Sequence, residues 1–274
     1  MTVEQRIAAH YAHGSLAQAI RAALIEAGRN PERLRAEDLA PADEFHIGAR
    51  QATVAFTARL GLTADMHVLD VGCGIGGAAR HMAQAHGCRV TGIDLSADYV
   101  AVAIWLSEAI GIGDRVSFRQ GSVNDLPFAP ATFDGATMLH VGMNVPDKPW
   151  AFACVRRVLK PGGFFAIYDV MRFAGGDIAY PMPWAATPDT SFLASEAEYR
   201  AAAEAAGFRV VETRDRSAFA IEFIRTRIER MKLAAPSPVG LHILMGKDYP
   251  QKIANMLGAI QRGQIAPVEM ICRA

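Results

Sequence analysis

Two carboxylates and four glycines give this chain its clearest chemical signal. Asp70 ends the apolar run Val68-Leu69-Asp70-Val71, and Gly72, Gly74, Gly76 and Gly77 follow at once. A short β-branched run bounded by glycine reads as a buried parallel strand. Glycines in the next turn let backbone approach a ligand with no Cβ in the way. Ala78 to His86 continue with helical character, which turns unpaired N–H groups toward that ligand. Strand, glycine turn and helix together make a nucleotide-binding construction. Gly72, Gly74 and Gly77 fit G-x-G-x-x-G, a spacing that dinucleotide-binding folds share. Asp94 lies about 20 residues beyond the glycines, suitably placed for ribose hydroxyls. Asp70 separates the possibilities. Its charge is unfavourable beside a pyrophosphate and favourable beside the ammonium of an amino acid. An amino acid joined to a nucleoside satisfies both carboxylates.

The elements that must hold these residues alternate. Residues 1–30 are alanine-rich and fit one or two helices, closed by Asn30-Pro31. A polar, irregular stretch reaches Gly48, and Gln51 to Leu60 reads as a helix. Strands are expected at 68–71, 89–95, 116–120, 133–139 and 164–170, with helices at 97–110 and 148–159; Lys160-Pro161-Gly162-Gly163 should end the latter. This alternation argues a mostly parallel sheet covered by helices on both faces. Residues 171–194 form a long loop rich in glycine and proline, of the kind that is usually functional. Ser195, with Glu198 three residues on, should cap a helix that Gly207 stops. A strand at 209–214, helices at 217–233 and 248–262 separated by Pro236-Ser237-Pro238, and a strand at 265–271 complete the chain.

Composition narrows the partners. The 274 residues hold 28 Lys plus Arg and 28 Asp plus Glu, so nothing draws the whole chain to nucleic acid or a lipid surface. The four cysteines, Cys73, Cys88, Cys154 and Cys272, lack paired metal-ligand spacing and read as reduced thiols of a cytoplasmic protein. No apolar run is long enough for a membrane span, and no signal-peptide core is visible.

In this setting the chain resembles the class I S-adenosylmethionine-dependent methyltransferases. The likeness rests on Val68 to Gly77, Gly92-Ile93-Asp94-Leu95-Ser96, Gly121-Ser122-Val123-Asn124-Asp125-Leu126-Pro127-Phe128 and Arg157-Val158-Leu159-Lys160-Pro161-Gly162-Gly163, in the family's order. Phe45-His46-Ile47-Gly48 and His140-Val141-Gly142-Met143-Asn144 are similar to the small-molecule branch of UbiE-like and sarcosine/dimethylglycine methyltransferases. The resemblance implies an α/β, Rossmann-like doubly wound seven-stranded sheet of order 3-2-1-4-5-7-6 with the last strand antiparallel. Residues 1–60 would be an N-terminal helical cap over the cofactor site. Residues 61–274 would be the core, including a lid loop at 171–194 and a helical insertion at 217–262.

The same resemblance implies a cofactor site made by Asp70, Gly72, Cys73, Gly74, Gly76, Asp94, Leu95, Ser122, Val123 and Leu139. Ser122 departs from the commoner acidic residue that bonds the adenine amino group; backbone at Ser122 and Val123, or the side chain of Asn124, could read that edge instead. Cys73 reads as a neutral filler of the turn. His140 follows the fourth strand, at the carboxyl edge where open sheets bind ligands, and His46 lies in the segment that folds over the methionine end. Both are candidate bases, with structural roles as the alternative. Phe45, Asn144, Tyr168 and Trp184 are candidate acceptor contacts. Asp169 either holds a substrate ammonium or caps a turn. Phe219, Phe223 and Ile224 suit core packing, and Arg225, Arg227 and Arg230 a solvated face.

The expected reaction is in-line methyl transfer from S-adenosylmethionine, leaving S-adenosylhomocysteine, to a small molecule, with N- or C-methylation ahead of O-methylation. A lipophilic quinone or isoprenoid precursor is the alternative acceptor. An NAD-dependent oxidoreductase and a non-catalytic S-adenosylmethionine-binding protein are alternatives of other classes. No metal, nucleic acid or membrane partner is expected, and a homodimer is possible.

Overall fold

The computed structural model describes residues 1–11, 14–233 and 237–274. Four helices precede the first strand: α1 (Val3–Tyr11), α2 (Leu16–Glu26), α3 (Ala36–Leu39) and α4 (Ala49–Thr57). The alternating region then runs β1 (His67–Val71), α5 (Gly77–His86), β2 (Arg89–Asp94), α6 (Ala97–Ile110), β3 (Val116–Gln120), β4 (Phe133–Leu139), α7 (Lys148–Val158) and β5 (Leu159–Arg172). After residues 173–195 come α8 (Glu196–Ala205), β6 (Arg209–Asp215), α9 (Ser217–Leu233), α10 (His242–Met245), α11 (Tyr249–Gln261) and β7 (Ile265–Arg273).

The seven strands form one sheet in the order β3-β2-β1-β4-β5-β7-β6. β1 pairs in parallel with β2 and β4, and β4 with β5, while β7 runs antiparallel between β5 and β6. This is the expected doubly wound architecture. The order reverses direction at β1, so a crevice opens between the carboxyl ends of β1 and β4. Alternating side chains send Val68 to the face covered by α4 and α5, and Leu69 to the face covered by α7 and α8. Two further cores are built mainly by helices. One joins α2, α3 and α6 to α10, and the other joins α9 and α11 to Trp184 and Met143.

Local signals act as read. The Ser96 hydroxyl accepts the Tyr99 N–H at the start of α6, and Ser195 and Glu198 form the reciprocal cap of α8. Several elements differ from expectation. α4 begins two residues earlier than expected, and α10 has no counterpart among the expected helices. Lys160 to Gly163 do not leave the sheet after α7; they belong to β5, with the register breaking between Phe133 and Gly135 on β4. Gly162 (φ +77°) donates its N–H to the Ala274 carbonyl, which holds this irregular stretch against the chain end. β5 also continues through Met171 and Arg172, paired with β7, so the long loop starts later. Pro236, read as part of the break between the late helices, lies outside the described residues. No described helix is long and apolar enough to cross a membrane.

Candidate functional site

The glycine turn leaves β1 into the crevice, and its four glycines serve different ends. Gly72, Gly74 and Gly76 adopt positive φ (+68°, +54° and +87°), where a side chain is strained. A Cβ on Gly74 would meet nothing within 4 Å, so this glycine faces open space. At Gly72 a Cβ would overlap Val141, at Gly76 it would meet Arg80 and Phe118, and at Gly77 it would overlap the Asp43 carbonyl oxygen. Gly72 therefore admits the loop after β4, and Gly77 admits the segment before α4. Gly76 does not line the cavity; its place is the start of α5.

That cavity has about 1170 Å³ of open space, partly continuous with solvent. Asp70, Gly72, Cys73 and Gly74 line it from the β1 side, Asp94 and Leu95 from β2, and Ser122, Val123 and Leu139 from the ends of β3 and β4. Asp70 is buried. Its Oδ1 accepts the Thr137 hydroxyl at 2.8 Å, while Oδ2 has no partner. Burial, joined by the charges of Asp94 and Glu44, pushes its carboxyl up to about 7 despite the Thr137 bond. Asp94 accepts the Gly74 and Ser96 N–H groups, each at 2.9 Å, and burial raises its carboxyl as well. Cys73 has its thiol pushed well above the ordinary range by burial, consistent with an inert filler.

The sequence reading missed the part of the wall that comes from α1. Glu4, Ile7, Ala8 and Tyr11 all line the cavity. Glu4 accepts the Ser122 hydroxyl and the Asn124 side-chain amide (2.9 Å), which brings a carboxylate to the place where Ser122 lacks one. Asn124 Oδ1 is buried without a partner. Only the amphipathic spacing of α1 signalled a buried face, and nothing in that spacing pointed to β3.

Residues 43–48 cross the cavity and are firmly held. Asp43 accepts Arg80 and Arg50, and Glu44 accepts Arg50 and the Thr53 hydroxyl. His46 Nε2 lies 3.0 Å from Thr53 Oγ1; because that hydroxyl donates to Glu44, His46 is the donor here. Burial, helped by the nearby Arg50 charge, drives His46 down to about 3. His140 sits at φ +55°, a left-handed conformation uncommon outside glycine, fixed by its N–H to the Tyr168 carbonyl at 2.7 Å. Its Nδ1 donates to the same carbonyl (3.2 Å), and Nε2 faces the Ile47 N–H (3.4 Å). Burial and His46 hold His140 far below its ordinary range, so both rings are neutral at physiological pH.

A second cavity of about 630 Å³ adjoins the first, and Phe45, His46 and His140 line both. Its other walls are Arg227 and apolar residues of α9, with further residues of α10 and α11, together with Met143 and Trp184. Trp184 thus stands where an acceptor contact was expected. Two other expected contacts do not. Tyr168 lines neither cavity: its ring is buried toward α4, and its hydroxyl donates to the Ile47 carbonyl at 3.0 Å. Asn144 borders the first cavity but its amide is spent, accepting the Tyr11 hydroxyl and donating to the Trp184 and Thr190 carbonyls. Asp169 is buried behind the loop, accepts the Tyr199 hydroxyl at 2.9 Å, and lines neither cavity; burial raises it to about 6. Phe223, Ile224 and Arg227 line the second cavity, so helix α9 is more than core and its arginines are not all solvated.

The comparisons agree with this geometry. A family described as a methyltransferase domain matches residues 68–163. Over residues 68–163 the chain carries a methyltransferase domain. Its cofactor is S-adenosylmethionine, and the unpartnered Asp70 Oδ2 in an acid-rich cavity suits a cationic amino-acid nucleoside. A sterol 24-C-methyltransferase from Eremothecium gossypii is 39% identical over 111 residues, 40% of this chain and 30% of that protein. The chain spans about 30% to about two thirds of the length of the curated relatives it matches. Among solved structures, geranyl diphosphate C-methyltransferase from Streptomyces coelicolor A3(2) has a TM-score of 0.67 at 18% identity, covering 96% of this chain and 99% of that one. Phosphoethanolamine N-methyltransferase 2 from Haemonchus contortus has a TM-score of 0.73 at 19% identity, covering 100% of this chain and 60% of that one. At such identities these two speak for the fold.

Proposed function

We propose that this protein transfers a methyl group from S-adenosylmethionine in the first cavity to an apolar small molecule in the second. The observation that carries the reading is the meeting of two cavities at Phe45, His46 and His140. When bound, S-adenosylmethionine supplies a methyl group on a positively charged sulfur. Asp70 would hold its ammonium, Asp94 its ribose hydroxyls, and Glu4, Ser122, Val123 and Asn124 its adenine. Residues 1–60 act as the cap, because Glu4, Tyr11 and Phe45 close the cavity from that side.

The work of this chain is then to orient two reactants and keep water out. Phe45 supplies an apolar wall at the junction. His46 and His140 stay uncharged, so neither repels a sulfonium, and their hydrogen bonds fix both rings. With both depressed so far, neither is a strong general base; they position the acceptor. No carboxylate lines the second cavity among the described residues, so an ammonium-bearing acceptor finds no counter-charge there. Methylation at carbon or oxygen of an apolar molecule has more support than methylation of an amine.

Binding of S-adenosylhomocysteine, measured by calorimetry beside NAD, tests the first half. Mass spectrometry of apolar compounds incubated with enzyme and methyl-labelled S-adenosylmethionine tests the second. Selective binding of NAD would overturn the reading. Tight S-adenosylhomocysteine binding with no labelled product across sterols, terpenoids and phenols would favour a non-catalytic binding protein.

A further inference from the structure

An apolar acceptor leaves one polar side chain of the second cavity without a task. Arg227 follows Phe223 by four residues and Ile224 by three on α9, so the three share a helix face, and all three line the cavity. Arg225 and Arg230 on the same helix are exposed, whereas Arg227 is half-buried. Among the described residues the Arg227 guanidinium has no hydrogen bond or ion pair, although Glu222 and Glu229 stand nearby in sequence. A cation in an apolar wall normally finds a partner, because burial without one is unfavourable.

The position of Arg227 also sets a length. Phe219 packs against Gly48, at the level of the shared residues: a Cβ on Gly48 would meet its ring at 2.6 Å. Arg227 lies eight residues further along α9, about 12 Å at 1.5 Å per residue. The cavity therefore has a neutral end beside the cofactor site and a cationic end roughly two helical turns away.

Resting on the methyl transfer proposed above, we propose that Arg227 receives an anionic group at the far end of an elongated apolar acceptor, whose methyl-accepting atom sits at Phe45, His46 and His140. A planar guanidinium pairs with carboxylate or phosphate oxygens through two parallel hydrogen bonds, which fixes orientation as well as contributing affinity. Apolar surroundings strengthen that pairing relative to water. An acceptor with a cationic tail is rejected by the same residue.

Calorimetry on the protein saturated with S-adenosylhomocysteine tests this with three probes of one chain length: decanoate, decanol and decylamine. Decanoate should bind at least tenfold tighter than decanol, and decylamine weakest. Arg227→Met should abolish the preference for decanoate while leaving decanol affinity within twofold, and Arg227→Lys should keep most of it. Raising the salt concentration should narrow the gap, since Arg227 is only half-buried. Binding of decanol with no preference among headgroups, or a preference that survives Arg227→Met, overturns the assignment and leaves the apolar cavity standing. Failure of all three probes to bind the wild type overturns the acceptor cavity as well.

Discussion

Replacing Asp70 with asparagine should make the empty protein more stable and the cofactor complex far weaker. The Asp70 carboxyl lies at about 7 because burial penalises its charge and only one oxygen has a donor. A carboxyl raised from 3.8 to about 7 carries about 4 kcal/mol, at 1.36 kcal/mol per decade. The folded value lies above the unfolded one, so the associated stability is complete below pH 4 and lost as pH rises through 7. At pH 8 the wild type has lost all of it, whereas the neutral asparagine has nothing to lose. For a chain of this size, about 2 °C per kcal/mol places the gain at up to about 8 °C at pH 8, shrinking toward pH 5. Binding moves the other way, because the ammonium of the ligand requires the ionised form. Removing one partner of a buried pair costs about 3–5 kcal/mol, or about 10²- to 10⁴-fold in affinity. Wild-type affinity should also fall about tenfold per pH unit below 7, a slope absent from the variant. Differential scanning fluorimetry of the empty protein and calorimetry with S-adenosylhomocysteine across pH 5–8 read both effects. A variant that melts below wild type at pH 8, or that binds S-adenosylhomocysteine normally, refutes the reasoning.

Four further substitutions probe the walls. His140→Gln should leave cofactor affinity within about threefold and lower turnover about tenfold, a positioning loss of roughly 1.4 kcal/mol; wild-type turnover should be flat across pH 6–8 with respect to His46 and His140, and a rate inflection that disappears in the variant would instead mark His140 as a titrating base. His46, near 3 when folded against 6.5 unfolded, should cost stability as pH falls below 6.5, visible as a smaller acid-side loss in His46→Phe. Gly77→Ala should drive the Asp43 carbonyl away, destabilise the fold by about 1–3 kcal/mol and raise the KM for S-adenosylmethionine, all measurable by melting and initial rates. Glu4→Gln should weaken S-adenosylmethionine about fivefold, roughly 1 kcal/mol, and unchanged affinity would detach α1 from the adenine edge.

The donor half of the site was legible because it is local. Asp70, the glycine turn and Asp94 lie within one strand–turn–helix–strand unit, where spacing alone determines which groups meet. Even there, the glycines looked alike in sequence, while only Gly74 faces open space and Gly77 yields to Asp43. Tyr168 misled for a related reason. A strand end in the right place does not say which face the side chain takes, and the phenol points at Ile47. Asn144 looked free for a ligand, yet three partners from distant segments use its amide. Glu4 was invisible because more than a hundred residues separate it from Ser122 and Asn124. Helical spacing also made α9 look like plain core, since a cavity wall and a core face are equally apolar.

These misses share a physical cause that bears on how the two cavities work together. The first cavity hangs on the sheet, but the second is lined by Phe45, His46 and Ile47 facing residues of α9, α10 and α11. Segment 43–48 is pinned on the donor side by Gly77, Arg80 and Arg50, and on the acceptor side by Phe219 against Gly48. Both contacts are close-packed, so a shift of Phe45 and His46 toward one cavity must be felt in the other. The acid-rich donor cavity and the apolar acceptor cavity thus share a single mechanical element. Asp43 and Glu44 tie it to the arginines, Phe45 and His46 face both cavities, and Gly48 admits the late helices. The six residues 43–48, with no glycine-rich fingerprint of their own, set the boundary between the two cavities.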